Sequence, residues 1–176
     1  MATHKMFFAG LGGQGIMLMG QMVGSAAIHD DKEATFFPSY GPEMRGGTAN
    51  CTVIVSDKAI SNPVISESDC VVAMTLPSML KFEPTIKPGG VMFINTSMIH
   101  QAPKRSDIKV YEIPVSDMAS EMGNPRIANM IMLGAFVRVT NIVKADHIEE
   151  VIRDFFGAKG ADLVDLNLKA FNYWQE

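Results

Sequence analysis

Cysteine is scarce in this chain of 176 residues: Cys51 and Cys70 are its only two. An iron–sulfur cluster usually takes four thiolates, and a structural zinc takes four Cys/His ligands at close spacing. There is no CxxC pair, and His4, His29, His100 and His147 form no HxxxH pair. No metal site is therefore expected, and both thiols are expected to be buried and inert. Charge is also low, at 19% of residues, with 15 basic against 19 acidic for a net −4. A nucleic-acid binder needs a basic stripe to displace phosphate counterions, so this balance argues against nucleic acid as a partner. Long apolar runs are missing too. The longest, Ile127 to Val139, is interrupted by Asn129 and Arg138 and falls short of the roughly 20 residues a membrane span needs. Met6 to Leu11 is too short for a signal-peptide core and leads into glycines. The expectation is a cytoplasmic chain with reduced thiols and no membrane partner.

What is present points to a folded core. Apolar residues make up 47% of the chain, which excludes a disordered polar polymer. The length suits one domain over residues 1–176. Methionine is abundant, 14 of 176. Met fills both irregular cores and partner-binding surfaces, so a Met-rich core and a subunit that hides surface in a complex fit equally.

Lys5–Ala9 reads as a short buried strand, followed by Gly10-Leu11-Gly12-Gly13-Gln14-Gly15 and a helix from Ile16 to about His29. Gly20, Gly24 and Ala27 give that helix one small face for close packing. Strand, glycine loop and helix open a nucleotide-binding α/β unit. Further strands are expected at Ala34–Phe37, Thr48–Ser56, Cys70–Met74, Val91–Asn95 and Lys109–Ile113. Between them lie a loop over Pro38–Gly47, a turn or short helix over Ser61–Ser66, a helix over Pro77–Phe82 and a turn at Lys87-Pro88-Gly89-Gly90. After Val115 the pattern is helical. Asn124-Pro125 caps a helix running from Arg126 to about Val143. Asp146 with Glu149 forms a capping-box pattern for a helix to about Phe156, and Asp162 caps a last helix carrying Leu163, Leu166, Ala170, Phe171 and Trp174. The fold class is α/β: a single Rossmann-like three-layer domain with a mostly parallel sheet and C-terminal helices.

Gly10, Gly12 and Gly15 satisfy G-x-G-x-x-G, whose glycines allow positive φ and close ligand approach, and the helix behind offers free N–H groups to an anion. A dinucleotide site also wants an acid near the end of the second strand. Here that strand ends Phe36-Phe37-Pro38, and Glu33 precedes it. No Lys-Ser/Thr pair follows the glycines, so this is not a Walker loop. A phosphate-bearing ligand of another kind and a structural tight turn both remain open. Tyr40 to Gly47 gathers Tyr40, Gly41, Glu43, Arg45, Gly46 and Gly47 in one inter-strand loop. Arg45 suits a phosphate or carboxylate fork, and the alternative is a surface loop with a Glu43–Arg45 pair of little energetic weight. No Ser–His–Asp or paired-carboxylate set emerges from the spacing, so no catalytic residue is assigned.

Gly12-Gly13-Gln14-Gly15, then Tyr40-Gly41-Pro42-Glu43-Met44-Arg45-Gly46-Gly47 with Thr48-Ala49-Asn50 after it, resembles the gamma subunit of 2-oxoacid:ferredoxin oxidoreductases. Lys87-Pro88-Gly89-Gly90 before a strand, and Asn129 with Leu133-Gly134-Ala135, match as well, so the resemblance covers nearly the whole chain. It implies an enzyme that oxidatively decarboxylates a 2-oxoacid, joins the acyl group to coenzyme A and passes electrons to ferredoxin. It places thiamine diphosphate in alpha and beta subunits and the iron–sulfur clusters in other subunits or domains. This chain would bind none of these alone and would be inactive alone. The resemblance also implicates the gamma subunit in coenzyme A handling. On that basis Gly10, Gly12, Gly13, Gln14 and Gly15 are the candidate coenzyme A phosphate loop, and Tyr40, Gly41, Glu43, Arg45, Gly46 and Gly47 the interface loop near the active site. The likeness leans toward 2-oxoglutarate or branched-chain 2-oxoacids. Two rivals stand beside it: a stand-alone NAD(P)-binding oxidoreductase, and a structural subunit whose glycine loop only packs.

Overall fold

The computed structural model of the chain describes residues 2–41 and 47–176. The apolar run Met6–Ala9 is the buried centre of β1 (Thr3–Leu11), which extends two residues beyond the expected strand at each end. Helix α1 (Ile16–His29) has the expected limits, and its small face is used. A Cβ on Gly20 would lie 2.5 Å from the Cys51 sulfur and 3.0 Å from the Phe36 ring. Strand β2 (Glu33–Tyr40) is longer than expected, because β3 (Thr48–Ser56) pairs with it from Glu33↔Ser56 to Tyr40↔Ala49. The start of the expected loop, Pro38 to Tyr40, is therefore strand. Pro38 is tolerated because β2 is an edge strand.

The remaining strands are β4 (Ser68–Ala73), β5 (Ile86–Asn95) and β6 (Lys109–Ile113), with helix α2 (Leu76–Phe82) between β4 and β5. The sheet order is β2-β3-β1-β4-β5-β6. Pairings β1–β4, β4–β5 and β5–β6 are parallel, and β3 runs against both of its neighbours. Strand β4 is buried over most of its length between parallel partners, as its unbroken apolar run requires. Lys87-Pro88-Gly89-Gly90 is not a turn between elements. It belongs to β5 as an irregularity in the ladder, where Ser68 pairs with Ile86 but Cys70 pairs with Val91.

Helices α3 (Val115–Glu121), α4 (Ala128–Thr140), α5 (Ala145–Phe156) and α6 (Ala161–Phe171) join α1 on one face of the sheet. The other face carries α2 and Ile99. The expected three layers are present but unequal. Helix α4 is buried from Ala128 to Val137, and Phe136 packs edge-on against Phe8 at 5.3 Å and Phe93 at 6.0 Å.

Several helix ends differ from expectation. Asn124 does cap, accepting from the Arg126 N–H at 3.0 Å, but it opens a 3-10 turn (Pro125–Ile127) that leads into α4. Helix α4 stops at Thr140 because Asn141 takes a left-handed φ of 52°. Asp146 and Asp162 are not caps. Lys144 and Gly160 hold those positions without side-chain hydrogen bonds, and each acid sits in the first turn, where it meets the positive end of the helix dipole. Ser61–Ser66 forms no helix.

Candidate functional site

The chain leaves β1 through α1 toward β2 on one side, and leaves β4 through α2 toward β5 on the other, with the two helices on opposite faces. The carboxyl ends of β1 and β4 therefore flank a topological switch point, where open α/β sheets form their binding crevices. The glycine loop lies there. Gly10 is still in the strand, and a Cβ on it would lie 2.5 Å from Gln14 Oε1, 2.7 Å from Ile16 Cδ1 and 3.0 Å from Met74 Cβ. Next door, the Met74 N–H donates to the Ala9 carbonyl at 2.9 Å.

Gln14 folds back over the turn. Its Oε1 accepts the Leu11 N–H at 2.7 Å, its own N–H donates to the Leu11 carbonyl at 3.2 Å, and its Nε2 lies 3.5 Å from Met98 Sδ. Gly13 and Gly15 sit at φ of 90° and 73°, conformations that strain any residue with a Cβ. Gly15 is also the N-cap of α1, with no side-chain capping bond and no acid in the first turn. The first-turn N–H groups and the positive end of the dipole are thus left for an outside acceptor. Asn129 of α4, buried, braces the turn from behind. Its Nδ2 donates to the Gly15 carbonyl at 3.4 Å, and it occupies the space a Gly15 Cβ would need.

The second predicted motif meets the first. The Gly12 N–H donates to the Gly47 carbonyl at 2.8 Å, and the Gly41 N–H donates to the Thr48 carbonyl at 2.7 Å. Tyr40, 60% exposed at the end of β2, shares a 330 Å³ cleft with Gly12, Gly13, Met17 and Leu18. Glu43, Arg45 and Gly46 lie outside the described residues. A second cleft, 560 Å³, opens on the other side of the Gly13–Gly15 turn, lined by Asn124, Arg126, Asn129 and Asn167. Arg126 and Tyr40 are the only titratable side chains among the described residues lining the two clefts. Such a site can hold and orient an anion. Among the described residues, neither cleft is lined by a carboxylate, imidazole or thiol for proton transfer or nucleophilic attack.

The cysteines behave as expected. Burial pushes the Cys51 thiol up to about 12 and the Cys70 thiol higher still, so neither is a nucleophile near neutral pH. Among the described residues no group of three His, Cys, Asp or Glu side chains is placed to hold a metal, and no helix is long and apolar enough to cross a membrane. The topology also disfavours dinucleotide binding. Antiparallel β3 separates β2 from β1, and among the described residues the far end of β2 carries no acid to meet a ribose beside the glycine loop.

Sequence reasoning passed over Arg126 and Asn167 and gave Asn129 no role. The available signal was polar interruption: Asn129 and Asn167 are buried amides on otherwise apolar helix faces, and such groups need partners. Asn167 finds its own in the Leu163 carbonyl at 2.8 Å.

A family model described as pyruvate ferredoxin/flavodoxin oxidoreductase matches residues 5–173. The chain is 38% identical over 167 residues to the 2-oxoglutarate synthase subunit KorC of Methanocaldococcus jannaschii, covering 93% of this chain and 88% of that protein. It is 34% identical to the ketoisovalerate oxidoreductase subunit VorA of Methanothermobacter marburgensis, over 92% of this chain and 34% of that protein. Among solved structures, the gamma subunit of a keto/oxoacid ferredoxin oxidoreductase from Geobacter sulfurreducens superposes with a TM-score of 0.81 at 30% identity, over 96% of this chain and 94% of that one. The 2-oxoglutarate:ferredoxin oxidoreductase of Magnetococcus marinus, solved with 2-oxoglutarate, coenzyme A and succinyl-CoA bound, superposes with a TM-score of 0.92 at 27% identity, over 98% of this chain and 30% of that one.

Proposed function

The chain belongs to the pyruvate ferredoxin/flavodoxin oxidoreductase family, and from that premise we propose that it is the gamma subunit of a 2-oxoacid:ferredoxin oxidoreductase. Its companions are alpha, beta and cluster-carrying subunits, with ferredoxin as the outside electron acceptor. Thiamine diphosphate, held by the companions, supplies the carbanion chemistry of decarboxylation. The substrate is 2-oxoglutarate or a branched-chain 2-oxoacid, a reading supported by the likeness to the KorC and VorA subunits.

This chain's part is to bind and orient coenzyme A. One observation supports that reading: the uncapped start of α1 opens beside Gly13 and Gly15 onto a cleft whose one titratable side chain among the described residues is the cation Arg126. A phosphate of coenzyme A fits those donors, since backbone N–H groups at a helix start and a guanidinium both favour an anion. Tyr40, Gly41, Glu43, Arg45, Gly46 and Gly47 form the surface toward the thiamine-bearing subunits. Gln14 holds the turn shut through Leu11, with its Nε2 directed at Met98. None of these residues is a general acid, base or nucleophile.

The test is made in the assembled enzyme with Gly12→Ala, Arg45→Ala and Arg126→Ala. The Michaelis constant for coenzyme A should rise about tenfold with Arg126→Ala, the loss expected for one charge-assisted hydrogen bond of roughly 1.5 kcal/mol. If turnover and that constant stay unchanged in all three variants, the glycine loop only packs, and the structural-subunit reading replaces this one.

A further inference from the structure

At the amino end of β1, on the face that carries α2, lies a 370 Å³ cavity that the glycine-loop site does not touch. With β1 rising about 3.3 Å per residue, Lys5 is roughly 17 Å along the strand from Gly10. Three lysines from three separate elements line this cavity: Lys5 of β1, Lys58 after β3, and Lys87 of β5. Ser61 and Asn62 add polar groups from the segment that follows β3, and buried Ile54 lies beneath.

The acids nearby do not cancel these charges. Asp69 accepts the Lys5 backbone N–H at 2.8 Å and pairs with Lys87 Nζ at 3.4 Å. Asp57 takes the Ala2 N–H at 2.9 Å, and exposed Glu33, whose strand position pairs with Ser56, is not part of the lining. Among the described residues, Lys5 and Lys58 have no carboxylate within salt-bridge distance. Three ammonium groups stand against two engaged carboxylates, Asp57 and Asp69, a local excess of positive charge in a protein of net charge −4.

The backbone irregularity in β5 brings the third lysine there. Between the Ser68↔Ile86 and Cys70↔Val91 pairs, residues Lys87 to Gly90 swing out opposite Asp69. Gly89 takes a φ of 80° with its N–H on the Asp107 carbonyl at 2.7 Å. A Cβ on Gly90 would lie 2.9 Å from the Asp69 and Lys87 carbonyl oxygens. The Lys-Pro-Gly-Gly motif thus presses against β4, and its lysine ends beside Asp69 at the cavity wall. Bulges commonly re-aim a side chain toward a functional surface.

We infer that this cavity binds a small, multiply charged oxyanion, a phosphate-bearing or polycarboxylate metabolite. Asp69 is a positioning residue that holds Lys87 at the wall. Calorimetric titration of the full chain at 0.15 M salt, where free surface charges are screened within about 8 Å, tests it with inorganic pyrophosphate and separately with citrate. One saturable site per chain is expected, with affinity falling at least tenfold in Lys5→Gln and in Lys87→Gln. Lys159→Gln, the same charge change elsewhere, should leave it unaltered. Tighter pyrophosphate binding identifies a phosphate ligand, and tighter citrate binding a polycarboxylate. Absence of saturable binding to either probe overturns the inference, as does more than one site per chain or an affinity indifferent to the lysines. Loss of the site on assembly would hand these lysines to an acidic segment of a companion subunit and overturn it equally.

Discussion

At its carboxyl end β1 runs into glycines, and at its amino end it is ringed by lysines. The glycine end is built from backbone: two left-handed residues, an uncapped helix start, and side chains such as Gln14 and Asn129 that hold the turn rather than reach for a ligand. The lysine end is built from side-chain point charges, two beside a β1–β3 ladder of unbroken register and one on the irregularity in β5. Geometry at the first end is bound to fold stability, because its parts cannot be changed without strain. At the second end the charges are nearly independent of the fold.

The substitution that separates the two ends most strongly is Gly15→Ala. A left-handed φ costs a residue with a Cβ about 1–2 kcal/mol, and the new methyl group would also displace Asn129. A loss of at least about 2 kcal/mol is expected in denaturant unfolding. Were it to cost no more than Lys5→Gln, the contrast between the ends would disappear. Gln14→Leu comes next. It removes the acceptor of the Leu11 N–H, and about 1 kcal/mol should be lost. At the lysine end, Asp69→Asn breaks a partly exposed pair and should shift stability by less than about 1 kcal/mol.

A smaller effect, placed away from both ends, sharpens the comparison by pH. Hydrogen bonds from Lys144 and then Lys32 hold the Asp30 carboxyl down at about 2, below its ordinary 3.8. Its folded value is depressed, so its stabilisation is full above about pH 4 and is lost as pH falls through about 2. Urea midpoints measured from pH 5 to pH 2 should fall less steeply in Asp30→Asn than in the native chain.

Much of this could be read from residue order. Helix α1 and strands β3 and β6 have the expected limits, because each is bounded by strong local signals: glycine before Ile16, β-branched residues in Thr48–Ser56, proline after Ile113. The failures share one cause, in that tertiary pairing overrode local preference. Pro38 and Tyr40 look like loop but are held in β2 by β3. Lys-Pro-Gly-Gly looks like a turn but is carried inside β5 by its neighbour. Asp146 and Asp162 look like caps but stand in the first turn, where the dipole rather than a capping bond receives them. Half of the candidate site, the turn from Gly10 to Gly15, could be read as a glycine loop. Arg126 and Asn129 could not be placed there, because nothing local says that a helix start more than a hundred residues later returns to the same turn.

The most direct test of the central idea, that this chain meets coenzyme A with backbone amides, is hydrogen–deuterium exchange in the assembled enzyme with and without coenzyme A. Amides from Gly13 to Leu18 should exchange more slowly once coenzyme A is added. Unchanged exchange there, with slowing confined to companion subunits, would contradict it.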